Sequence, residues 1–464
     1  MAGDPVSDPG PRGLPLADLL QAERQAKGLT YPRLAVMVRK AAQADGGSSR
    51  AHDSLVCKWC SGEVTPGLNH CRWLALALGL PIERVMAAAE AQRKRAAWLA
   101  ADAGLLTYHG AVLGAFEHAL LLGKSDLERP ALVASASFSI DALIAVSRDW
   151  LIDHMDRRLT PHGSPAVDEA GPIRDTFRAF QELDTRHGGG HSRLALVQYI
   201  STYALPLLHD HGADVSLYSA SAELLYLAGL TAFDSGALGL AERYFIHALR
   251  LAEEAGTRAF TGNVLAAMSH LVIAGGRGAE AVQLARAGLV SAKGADVPGV
   301  LMRLHLMEAR GHALRGDTSG SRAALYDAQV AWETSDPIAG PAWARFLDTA
   351  YLDGEMSLCY CDLGDWPAAE RSARESARSG ASDGRGRRRI LSQVAQAVAR
   401  LHQHDVEEAC HVGGLALDHL ADGVNSWRAR REFMALCDGL SPYRQEPVVR
   451  AFNDRVREVL GASL

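Results

Sequence analysis

The chain has 464 residues, 48% hydrophobic, 22% charged and 6% aromatic, with a formal net charge of −6. Its apolar share is sufficient for a substantial core, which excludes a disordered, collagen-like or disulfide-scaffold chain. Few aromatics, offset by small and aliphatic residues, point to closely packed helices rather than sheets.

The first 13 residues, MAGDPVSDPGPRG, are rich in Pro and Gly and lack an apolar run. They read as a disordered tail rather than a secretory signal. No later run reaches the roughly 18 apolar residues of a membrane helix. Seven cysteines, few and odd in number, suit reduced thiols in a cytoplasmic protein. Residues 1–95 hold 13 Lys+Arg against 9 Asp+Glu, a balance of +4, and the remainder carries −10. A small basic segment on an acidic body hints at nucleic-acid contact at one end. The excess of arginine over lysine is explained more simply by coding bias than by recognition.

Residues 14–95 divide into five short helical stretches. The first, LPLADLLQAERQAKG, has Leu16, Leu19 and Leu20 at helical spacing and stops at Gly28. Thr30 is a suitable N-cap for the second, where Leu34, Met37 and Val38 form the apolar side. After the loop ADGGSS comes a third stretch with Leu55, Val56 and Trp59, ending at Gly62. Thr65-Pro66-Gly67 marks a turn before the apolar LNHCRWLALALG, and Pro81 opens a fifth helix. Cys57 and Cys60 form a C-x-x-C, with Cys71 downstream and His52 upstream. That spacing fits no common zinc module, and thiols one helical turn apart simply share a buried face. No metal and no cofactor are expected.

Five short helices in about 75 residues, with the LADLLQAERQAKGLT segment, Leu34-Ala35, the series Val56, Trp59, Gly62, Pro66, and LALALGLP, resemble the Cro/repressor-type (XRE) helix-turn-helix domain. The resemblance covers about one sixth of the chain. Two features depart from the family pattern: a longer loop containing Gly46 and Gly47, and Cys60 where an acidic residue is usual. The resemblance implies that the third stretch is a recognition helix in the major groove of double-stranded DNA. It would turn His52, Ser54, Leu55 and Lys58 toward base edges, with Arg33, Arg39, Arg50 and Arg72 on phosphates. The competing expectation is a helical module kept for protein contacts.

Residues 96–214 are helical but weakly patterned, and read as two or three divergent hairpins connecting the head to the C-terminal half of the chain. RHGGGHS at 186–192 reads as a flexible joint. From 215 to the C-terminus a pattern recurs every 40–46 residues. A small residue in one helix is followed about twelve residues later by an alanine that begins a triplet at +4 and +3 in the next: Gly229 then Ala241, Phe245, Ala248; Ser269 then Ala281, Ala285, Gly288; Gly311 then Ala324, Ala328, Ala331; Ser357 then Ala369, Ala373, Ser376; Ala397 then Ala409, Gly413, Ala416. Small residues at these points let paired helices approach closely. Residues 424–460 read as a closing pair. The series resembles tetratricopeptide repeats, whose period is about 34. The expected fold is therefore all-α: an N-terminal helix-turn-helix domain followed by a TPR-like α-solenoid.

Such a solenoid has a concave groove. Projecting the register onto it selects Tyr226, Asn263, His270, His305, Glu308, His312, Arg315 and Tyr351 as candidate ligand-binding residues. Arg385 and Arg387 to Arg389 read as a solvated basic loop. No phosphate loop, nucleophile elbow, dinucleotide fingerprint or H-E-x-x-H occurs, so an enzyme is not expected. The expectation is a cytoplasmic bacterial transcriptional regulator: a homodimer whose heads meet operator DNA and whose solenoid senses a peptide, small molecule or partner protein. The alternative is an interaction scaffold whose head does not bind DNA.

Overall fold

The computed structural model describes residues 16–156, 169–210, 214–333, 340–379 and 385–461; the expected tail 1–13 lies outside them. Among the described residues all regular structure is helical, and no helix is long and apolar enough to cross a membrane. The chain divides into two compact units, 1–103 and 104–464.

The first unit contains α1 (Leu16–Ala26), α2 (Tyr31–Ala44), α3 (Asp53–Ser61) and α4 (Leu68–Leu78), followed by α5 (Ile82–Leu105). The 95/96 boundary expected from sequence falls inside α5. The stops and starts have local chemical causes. Thr30 Oγ1 accepts from Arg33 N at 3.4 Å and caps α2. Gly62 ends α3 with φ 80°, a backbone angle that favours glycine. One core joins Leu16, Leu20, Leu34, Val38, Val56, Trp59 and Leu74. Cys60 and Cys71 are buried in it, and burial pushes the Cys60 thiol up to about 11.

The second unit is built mainly from consecutive antiparallel pairs, consistent with a solenoid. They are α12 (Val215–Asp234) with α13 (Leu238–Glu254), α14 (Arg258–Ala274) with α15 (Gly278–Ala292), and α16 (Pro298–Leu314) with α17 (Thr318–Glu333). Then come α18 (Thr349–Leu363) with α19 (Trp366–Ser379), and α20 (Gly386–His402) with α21 (Val406–Ala421). Helices α22 (Trp427–Gly439) and α23 (Pro447–Leu460) complete the series. The small residues picked out by the recurring pattern sit where paired helices touch. A Cβ added at Gly229 would lie 2.5 Å from Phe245 Cε1, and Ser269 Oγ donates to Ala281 O at 2.8 Å. Phe245 is fully buried. Gly229→Ala should therefore cost about 1–3 kcal/mol despite the better helix propensity of alanine. A urea denaturation midpoint equal to wild type would show that this contact is not tight.

Residues 104–210 do not form a connector in line with the array. They comprise α6 (Val112–Glu128), α7 (Pro130–Ala134), α8 (Ile140–Asp156), α9 (Ala170–His187), α10 (Arg193–Tyr199), a π-turn at Ile200–Ala204, and α11 (Leu205–Asp210). Helices α6, α7 and α8 pack on α13. Residues 239–253 of α13 are consequently buried, including Glu242, Arg243, His247 and Arg250. Buried charges need partners, and the covering layer supplies them. Arg250 donates to His109 O at 2.7 Å and Gly110 O at 2.9 Å, and Glu242 Oε2 accepts from Ser139 N at 2.9 Å.

Nor is RHGGGHS a flexible joint. Gly188 and Gly189 are buried, and a Cβ on Gly189 would meet Thr231 O at 2.7 Å. Gly189 N donates to Asp234 Oδ2 at 2.9 Å, and Asn425 N donates to His187 O at 2.7 Å. The glycines serve a close crossing of backbones. At this seam the array closes on itself. Asp234, at the end of α12, accepts from Arg387 at 2.9 Å, from Arg428 at 2.9 Å and from Ser426 Oγ at 2.7 Å. Helix α9 packs on both α12 and α20. The first helices of the pairs thus form a ring rather than an open arc.

Candidate functional site

The ring encloses a cavity of about 410 Å³, lined by α9, α12, α14, α16, α18, α20 and α22. Its lining has helical periodicity. From α12 come Tyr226, Leu227, Leu230 and Phe233, and from α20 come Leu391, Val394, Ala395 and Val398. These residues make two apolar walls. Between them lie charges: Arg303 and Arg310 of α16, Glu355 and Asp362 of α18, Arg387 and Arg388 of α20, and Arg428 of α22.

Most of these charges are paired. Glu355 lies 3.4 Å from Arg310 and 3.5 Å from Arg388. Burial alone would raise the Glu355 carboxyl, but His270 and the arginines beside it outweigh that and hold it well below the usual carboxylate range. Asp234, behind the wall, is likewise held well below the usual carboxylate range by Arg387 and Arg428 against the opposing effect of burial. Burial pushes His270 well below its usual range, so its imidazole is neutral at pH 7. Burial also pushes the Cys361 thiol up to about 12, which leaves it protonated and a poor nucleophile.

Arg303 differs from the other arginines. It is 2% exposed and donates to Tyr226 OH at 2.7 Å, and to the backbone and side-chain oxygens of Asn263. Its guanidinium lies over the Phe346 ring at 5.3 Å. Among the described residues its Nε has no hydrogen-bond partner, and the partners of its other nitrogens are all neutral. Tyr351 lines the same cavity, and its buried hydroxyl sits beside Arg303 with no hydrogen-bond partner of normal geometry among the described residues.

The eight candidate groove residues are therefore split. Tyr226, His270 and Tyr351 meet in the cavity. Asn263 is fully buried and holds Arg303 from behind. His305, Glu308 and His312 lie elsewhere and interact among themselves, with His312 Nε2 3.8 Å from Glu308 and Arg286 2.7 Å from Glu308. Arg315 is exposed at the C-cap of α16. The physical reason is a register error of two residues. The cavity takes Arg303, Arg310 and Leu314, and a residue two positions away points about 200° round the helix. The cluster Arg385 to Arg389 is not a solvated loop: Arg387 and Arg388 enter α20 and face the cavity in ion pairs. Arg303, Arg310, Glu355 and Arg428 were missed. Arg303 and Arg310 stand two residues before the chosen His305 and His312.

In the first unit the candidate DNA-facing residues fall into two groups. His52, Ser54, Arg33 and Arg50 are exposed. His52 also caps α3, its Nδ1 accepting from Leu55 N at 3.3 Å. The others have internal partners. Lys58 pairs with Glu63 at 2.8 Å, Arg72 pairs with Asp45 at 2.6 Å, and Arg39 donates to Ala51 O. Leu55 is half-buried and packs against the head core, so it does not face outward freely.

No protein-family model and no curated protein matches the chain.

Proposed function

We propose that the protein is a DNA-binding transcriptional regulator whose helical-pair body senses a small effector. The observation that carries this reading is a cavity with an unmatched buried cation, held in a unit separate from the small helical head. A buried cation facing empty space is unfavourable for structure alone and suits a ligand. The head supports the DNA half of the reading through the exposed start of α3, with Ser54 and the exposed Arg33 and Arg50. Two heads of a homodimer would meet half-sites about 34 Å apart. Effector binding would bias one arrangement of the heads by a coupling of about 1–3 kcal/mol.

A second reading, a scaffold whose head does not bind DNA, is favoured by the internal pairing of Lys58, Arg72 and Arg39. Genome-wide mapping of the tagged protein, with gel-shift titrations on the recovered sites, separates the two. Under the regulator reading, binding weakens with salt. Ser54→Ala and Lys58→Ala each weaken specific binding by about 1–3 kcal/mol where they touch a base. Glu63→Ala, which removes an acid and releases Lys58, strengthens binding. Wild-type protein without salt-dependent duplex binding sinks the regulator reading.

A further inference from the structure

We propose that the cavity takes an amphipathic small molecule with a single carboxylate, its acid group seated on Arg303 and Tyr351 and its apolar body between α12 and α20. The inference rests on the sensing role proposed above and names the chemistry of the effector.

Charge matching selects the acid. Arg385, Arg387, Arg388, Arg310, Arg428 and Arg431 each have a carboxylate within ion-pair distance: Asp348 at 2.5 Å, Asp184 at 3.0 Å, Glu355 at 3.5 Å, Glu355 at 3.4 Å, Asp234 at 2.9 Å and Glu432 at 2.6 Å. Arg303 alone of the lining arginines has only neutral partners among the described residues. The dipoles of Tyr226 and Asn263 are enough to let the unliganded protein bury it, but they leave its charge uncancelled. One unmatched guanidinium calls for one negative charge. A doubly charged phosphate would bring one too many, since the remaining cations are already neutralised. The guanidinium fork also matches a planar carboxylate, and the Tyr351 O–H beside it, with no acceptor of normal geometry among the described residues, is a further donor.

Shape selects the rest. Leu227, Leu230, Ile273, Leu391 and Val394 give the acid's neighbour an apolar surrounding. A volume of about 410 Å³ falls within the range for a single small molecule. Helices α22 and α9 close onto α12, so helices surround the cavity all the way round the ring.

The test is isothermal titration calorimetry of the full-length protein with octanoate, 4-phenylbutanoate, their alcohols 1-octanol and 4-phenyl-1-butanol, and octyl phosphate. At least one carboxylate is expected to bind one per chain, about tenfold or more tighter than its alcohol. Arg303→Gln, which keeps donors for Tyr226 and Asn263, should reduce that preference to about one while the alcohol still binds. Tyr351→Phe, a smaller change, should weaken the carboxylate several-fold and leave the alcohol unchanged; it carries the test where Arg303→Gln does not fold. No saturable carboxylate binding overturns the inference, as does equal affinity for acid and alcohol, a preference that survives both substitutions, or tighter binding of octyl phosphate. No DNA enters the experiment. A protein that binds carboxylates but no duplex upholds this inference and overturns the regulator reading, and the converse result does the opposite.

Discussion

Asp234→Ala is expected to destabilise the body by about 3–5 kcal/mol. The carboxylate is fully buried and accepts from Arg387, Arg428, Ser426 and the Gly189 backbone. Among the described residues, its removal leaves Arg428 without an anion at ion-pair distance and Arg387 with Asp184 alone. Asp234→Asn, which keeps size and one acceptor, should cost less, and the difference between the two isolates the charge. Urea denaturation monitored by tryptophan fluorescence reads both, because Trp427 packs beside Gly236 at this seam. An Asp234→Ala midpoint within error of wild type would show that the ring does not depend on this ion cluster.

Glu355→Ala is expected to have a comparable effect, about 3–5 kcal/mol, for a different reason. Glu355 serves two arginines that face the cavity, and among the described residues its loss leaves Arg388 without an ion-pair carboxylate and Arg310 with Asp362 alone at 3.8 Å. The loss should also make the cavity more positive and tighten carboxylate binding, an opposite sign that a general loss of structure would not produce. The same residues set the pH dependence. Asp234 and Glu355 are depressed in the folded state, so their stabilisation is complete above their ordinary range near pH 4–4.5. It is lost as pH falls, for Glu355 toward about 2. His270 is also depressed, so the folded state resists its protonation, and stability declines from about pH 6.5 downward. Thermal melts from pH 7.5 to pH 3 should show a shallow fall and then a steep one. Glu355→Gln should flatten the steep part; an unchanged profile would refute the assignment.

The pairing of helices was legible in the sequence because close packing leaves a record: Gly229 faces Phe245, and Ser269 reaches Ala281. Helix ends were legible for a similar local reason, as at Thr30 and Gly62. The pattern does not carry the rotation of a helix that is buried on several sides. Helix α16 is buried on most of its faces, and its polar residues are spread round it, so its register could be read two residues out, selecting His305 and His312 over Arg303 and Arg310. The closing seam was illegible because it depends on residues 153 to 194 positions apart, such as Asp234 with Arg387 and Arg428. Nothing local distinguishes three glycines in a close crossing from three in a loose joint. The burial of α13 was hidden for the same reason: Glu242, Arg243 and Arg250 look like a solvated face until α6, α7 and α8 cover them.

An open repeat array tolerates gain or loss of a unit, since each repeat answers only to its neighbours. The seam at Asp234 removes that freedom. Inserting one more helix pair would displace the end of the series by roughly 10 Å per added helix in the packing direction. Arg428 would then miss its carboxylate altogether. The copy number of hairpins in this body is therefore set by the geometry of closure, and natural variation in the lineage should fall in side-chain substitutions and surface turns rather than in duplicated or deleted units.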